Sequence, residues 1–136
     1  MIMVAIAATY TPIAVAALST RSATILLTIV WSLAIIGVVV QLLWLHAPRW
    51  LSAALYIAIG WTALAFVPTL WRALGVVSFS LVVLGGIVYS LGAVVYATRR
   101  PDPAPPVFGY HEVFHALVIA AGLIFYAATL RVVLAA

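Results

Sequence analysis

The chain has 136 residues, of which 68% are hydrophobic and 6% charged, where an ordinary soluble domain carries roughly 25% charged residues. That composition excludes a water-soluble surface, and at about 20 apolar residues per membrane span the length holds about five spans and no separate soluble domain. The net charge of +4 comes from six scattered Arg and no Lys, set against Asp102 and Glu112, which excludes the clustered basic face of a nucleic-acid-binding protein.

Uninterrupted apolar runs predict spans at about 1–18, 22–45, 50–67, 73–97 and 110–134, forming a single transmembrane domain over 1–136. The first run lacks the basic leader and small-residue cleavage site of a signal peptide and reads as a retained helix. Arg21, the His46-Ala47-Pro48-Arg49 turn, Pro68 with Arg72, and the Arg99 to Gly109 loop separate the runs, and Gly, Pro and Arg are the expected punctuation of helix ends. Backbone polar groups in a bilayer must be satisfied within each segment, and these lengths suit helices; the alternating polarity of a β-barrel is absent. The fold class is therefore all-α, a polytopic transmembrane helix bundle in the cell membrane. Arginines do not orient it, because Arg21, Arg72 and Arg131 fall on one side and Arg49, Arg99 and Arg100 on the other. The His46 turn and the Arg99 to Gly109 loop share a face.

In the fourth span, Gly85, Gly86, Ser90 and Gly92 are spaced to let helices approach closely in lipid, with Tyr89 and Tyr96 among them. A packing face is the default reading, and a ligand-lining face is the alternative. Several of Trp31, Trp44, Trp50, Trp61 and Trp71 fall near span ends, as in an interfacial aromatic belt. Gln41 is nearly alone as a strongly polar mid-span side chain.

Chemistry concentrates at the head of the last span. A loop with four prolines in eleven residues, Arg99 to Gly109, leads into Tyr110, and His111-Glu112-Val113-Phe114-His115 follows. Residues four apart on a helix lie on one face, about 5–6 Å apart at Cβ, so both imidazoles reach one metal ion, for which zinc is the best fit. The bland alternative is an interfacial His pair, with Glu112 favoured in the first turn by the helix dipole. Cysteine is absent, so no thiolate ligand exists. A third ligand would have to come from His46, Asp102 or outside the chain. His-Glu-x-x-His also resembles the zincin signature, and on a membrane helix the site-two-type intramembrane proteases, over only five residues.

A second resemblance covers nearly the whole chain. Ile6-Ala7-Ala8-Thr9-Tyr10-Thr11-Pro12 is similar to the "IAGTYTP" segment of the hemolysin III family, relatives of adiponectin and progestin receptors. The run from Gly85-Gly86 through Tyr89, Gly92-Ala93 and Tyr96, then Arg100-Pro101, and Phe108-Gly109-Tyr110-His111-Glu112-Val113-Phe114-His115 resemble that family's two later motifs, in order. The resemblance implies a seven-helix fold, of which this chain matches helices three to seven. It also implies a zinc ion near the cytoplasmic side, with His111 and His115 as metal ligands and the Arg99 to Gly109 loop cytoplasmic.

Members with known chemistry are similar to hydrolases that cleave ceramide-type lipid amides with zinc-activated water, while bacterial members are named for a hemolytic, pore-like activity. The family's further zinc-binding His and its Asp have no counterpart after Met1. The expectation is a fragment or an N-terminally truncated relative with an incomplete site. Three functions follow: a zinc-dependent lipid amide hydrolase, a membrane-perturbing or pore-forming protein, and a receptor-like module with structural zinc. Membrane lipids are the expected partners.

Overall fold

The computed structural model describes residues 2–44, 48–104 and 107–135. Its helices are α1 (Ile2–Ala17), α2 (Thr20–Leu43), α3 (Arg49–Gly60), α4 (Val67–Thr98) and α5 (Tyr110–Ala135), with a 3-10 helix at Thr62–Phe66 between α3 and α4. Helices α2, α4 and α5 are long and apolar enough to cross a membrane, whereas α1 is a shorter apolar helix of 16 residues. Their outer faces carry Ile35, Ile36, Leu42, Ile119, Leu123 and Tyr126, all more than half exposed. Lipid tails are as apolar as these side chains, so nothing drives such faces inward.

Helix α1 packs against each of α2, α3, α4 and α5, and the most extensive pairing is between α4 and α5. Ala7, Ala14, Val30, Ala34 and Ala121 are fully buried along these seams. Small side chains bring backbones close where hydrophobic burial supplies little force. On α4 this goes further: a Cβ added at Gly85 would lie 3.0 Å from Phe125, and one added at Gly92 would lie 3.4 Å from Leu117 and 3.6 Å from Phe114. Ala16, Ala17, Ala73, Leu74 and Arg131 line one recess, so the end of α1, the start of α4 and the end of α5 share one end of the bundle.

The break between the third and fourth runs differs from the sequence reading. The expected span at 50–67 is a 12-residue helix followed by the 3-10 helix, and Pro68 with Arg72, expected to mark a break, lie in the first turns of α4. Proline suits a first helical turn, where its missing N–H has no intrahelical partner to lose. The real interruption is at Gly75, with φ 67° and ψ 171°, a conformation that only glycine adopts without strain. No neighbouring atom lies within 4 Å of a Cβ built there, so a substitution would act through backbone strain alone. Gly75→Ala is therefore expected to destabilise the detergent-solubilised chain by about 1–3 kcal/mol. Gly60→Ala, also uncrowded but without a positive φ, should leave the thermal midpoint nearly unchanged; equal behaviour of the two variants would contradict this account.

Candidate metal site

Polar side chains within the bundle are mostly spent on backbone and on one another. In the Ile6 to Pro12 segment of α1, Thr9 donates to the Ile6 carbonyl at 2.7 Å, Thr11 donates to the Ala7 carbonyl, and Tyr10 donates to the Gly60 carbonyl where α3 ends. Pro12 lies inside α1 and removes one helical N–H. Trp31 Nε1 donates to Thr11, and Trp61 Nε1 donates at 2.8 Å to Ser90, which itself donates to the Gly86 carbonyl. These two tryptophans thus link helices inside the bundle, while Trp44, Trp50 and Trp71 are the exposed ones. Gln41 donates to Tyr56 at 3.0 Å and to Ser52, joining α2 to α3.

Glycines of α4 divide between two tasks. Gly85 and Gly92 face α5, while Gly86, Tyr89 and Ser90 help line a cavity of about 70 Å³ that Thr9, Tyr10 and Val118 also border. The Tyr89 hydroxyl is buried there without a hydrogen-bond partner among the described residues. The packing reading therefore holds for Gly85 and Gly92, while Gly86, Tyr89 and Ser90 border the cavity.

The head of α5 is held from two sides. Arg99, in the left-handed conformation, ends α4, and Ala104 and Phe108 exchange hydrogen bonds of 3.0 and 2.7 Å across the connecting loop. Asp102 Oδ1 then accepts from the Tyr110 N–H at 2.9 Å, and Glu112 Oε2 accepts from the Gly109 N–H at 2.9 Å. The first N–H groups of a helix lack intrahelical partners, and carboxylates are well suited to take them. Both acidic residues of the chain are therefore engaged by backbone.

His111 and His115, both exposed, meet on the next turn: their Nε2 atoms are 3.0 Å apart and their rings are edge-on with centroids 4.5 Å apart. At that distance one ring's Nε2–H donates to the other's Nε2. Buried Phe114 lies between the pair and α4, its ring 5.0 Å from Tyr96 and 5.2 Å from His115.

Zinc bonds of about 2.0–2.1 Å at a tetrahedral angle separate two ligand nitrogens by about 3.3 Å, so the pair fits two positions of such a site with a small adjustment. Among the described residues no group of three or more His, Cys, Asp or Glu is placed to share a metal ion. Asp102 serves as a helix cap, and His46 lies outside the described residues.

These features define a class: an all-helical, multi-pass integral membrane protein whose last helix opens on a histidine pair. The family described as "Haemolysin-III related" matches residues 1–126. The chain is 35% identical over 118 residues to a hemolysin-3 homolog of Bacillus subtilis (strain 168), covering 87% of this chain and 53% of that protein. It is 34% identical over 95 residues to hemolysin-3 of Bacillus cereus, covering 70% of this chain and 43% of the relative. A 53-residue stretch is 47% identical to heptahelical transmembrane protein 5 of Arabidopsis thaliana, covering 35% of this chain and 14% of that protein. The chain belongs to the hemolysin III family. It spans about half the length of the curated bacterial relatives it matches. No solved structure matches it.

Because Phe114 is 2% exposed and fills the space between Tyr96 and Gly92, Phe114→Ala should open a void of roughly 100 Å³. In lipid the water-transfer part of the cost falls away and the cavity part remains, about 2 kcal/mol at ~24 cal/mol per Å³. Thermal unfolding in detergent micelles reads this loss directly, and an unchanged midpoint would mean that α4 closes onto α5 without the ring.

Proposed function

We propose that the head of α5 supplies two ligands, His111 and His115, of a zinc site that serves hydrolysis of a lipid amide once a third ligand completes it. The observation that carries this reading is the convergence of the two Nε2 atoms, 3.0 Å apart on one face of one helix turn. Two neutral imidazoles are a suitable borderline-soft donor pair for zinc, and a catalytic zinc site has three protein ligands and an open position. Bound zinc would supply Lewis acidity, polarising a carbonyl and making water acidic near neutral pH.

The chain's own residues hold the metal and shape what approaches it. Phe114 and Tyr96 back the pair with an apolar wall. Val118, one turn beyond His115, borders the cavity that Tyr89 also lines, and this apolar space suits part of a hydrocarbon chain. Membership of the hemolysin III family supports the reading, and the substrate class follows from the family resemblance. Glu112 turns back onto the Gly109 N–H as a helix cap.

Elemental analysis of the detergent-purified chain is expected to give near one zinc per chain, lost in His111→Ala and in His115→Ala while helicity is retained. Zinc that survives both substitutions would overturn the site. Release of fatty acid from a fluorescent ceramide analogue, abolished by a chelator, would support turnover. Dye leakage from liposomes that ignores the chelator would instead favour the pore-forming reading.

A further inference from the structure

We infer that Asp102 and Glu112 are positioning residues for the histidine pair, acting through the backbone of the first turn of α5 and not on the metal itself. The inference rests on the zinc reading above and adds to it how the pair is kept in register.

The geometry behind it is local. Two imidazoles four residues apart converge only while residues 111 to 115 are helical. His111 is the second residue of α5, in the turn where a helix frays first because its N–H groups have no partner within the helix. The two N–H groups that open this turn, those of Gly109 and Tyr110, are taken by Glu112 Oε2 and Asp102 Oδ1, each at 2.9 Å. The first helical bond, from the Val113 N–H to the Gly109 carbonyl, is 3.1 Å long. Asp102 comes from the preceding loop, which the Ala104–Phe108 bridge closes, so the loop is latched to the helix that it feeds. Neither carboxylate joins the histidines in a metal-holding group among the described residues. Removing either cap frees the turn to open, and opening turns His111 away from His115.

Cobalt(II) replaces zinc in such sites and reports affinity and ligand set through its visible absorption, so titration of the full chain in detergent micelles tests the idea apart from any turnover. Glu112→Ala and Asp102→Ala are each expected to weaken cobalt binding about tenfold, with the same spectrum at saturation. Glu112→Gln and Asp102→Asn keep a carbonyl oxygen able to accept from the same N–H and should restore most of the affinity. Ser19→Ala removes a cap from α2, where the Ser19 hydroxyl accepts from the Ser22 N–H, and should leave cobalt binding unchanged.

Unchanged affinity in both alanine variants would overturn the inference while leaving the zinc site standing. A changed spectrum at saturation, or amide variants as weak as the alanine ones, would overturn it in favour of a carboxylate ligand or a charge effect. Loss of helicity across the bundle in the alanine variants would overturn it in favour of a general structural role. If the parent chain binds no cobalt, the zinc reading fails and the inference fails with it.

Discussion

The close approach of α4 to α5 is the constraint on which the rest of this structure depends. Gly85 and Gly92 leave room for Phe125 and Phe114, and there is no space at Gly85 for an ordinary side chain without displacing the Phe125 ring. In a bilayer this contact is held by van der Waals packing and not by exclusion of water, so shape matters more than apolarity. Phe114 is the buried residue between the two histidines, and fixing its ring against Gly92 and Tyr96 directs His111 and His115 to the free side of the helix. The candidate site is thus a by-product of where α5 can be seated.

The same economy governs the polar groups. The Thr9, Tyr10 and Thr11 hydroxyls, the Trp31 and Trp61 indoles, Gln41 and Ser90 all have partners inside the bundle, several of them on another helix. An unpaired polar group in hydrocarbon costs several kcal/mol, so each of these side chains needs a partner and in finding one ties helices together. Tyr89 departs from this pattern, with its hydroxyl buried beside an apolar cavity and no partner among the described residues.

Much of this was legible in the residues themselves. The apolar runs marked the chain as a series of helices, and the start of α5 at Tyr110 follows from the prolines before it. The His-x-x-x-His spacing placed two imidazoles on one face because helical periodicity is a local property. What escaped a linear reading was non-local. Pro68 with Arg72 looks like a break but begins a helix, and the actual kink falls at Gly75, since a proline is equally at home just outside a helix and in its first turn. Trp31 and Trp61 fall inside predicted spans, and the sequence does not display that their indoles bond to partners 20 and 29 positions away. Glu112 stands in the first turn of α5 as the helix dipole favours, and the structure adds its partner there, the Gly109 N–H.

The sequence alone determined that the chain lives in a membrane, that it is helical, that it resembles the hemolysin III family, and that His111 and His115 share one face of the last helix. Composition and short-range spacing carry the first two and the last, the order of three short motifs carries the resemblance, and none of these needs a neighbour in space. Only the tertiary structure decided which glycines pack and which line a cavity, and which polar groups are already taken. It likewise decided that both carboxylates are bound to the backbone at the start of α5. Those assignments depend on which side chains meet across helix seams and across the loop, and such distances are set by packing, which a linear sequence does not display.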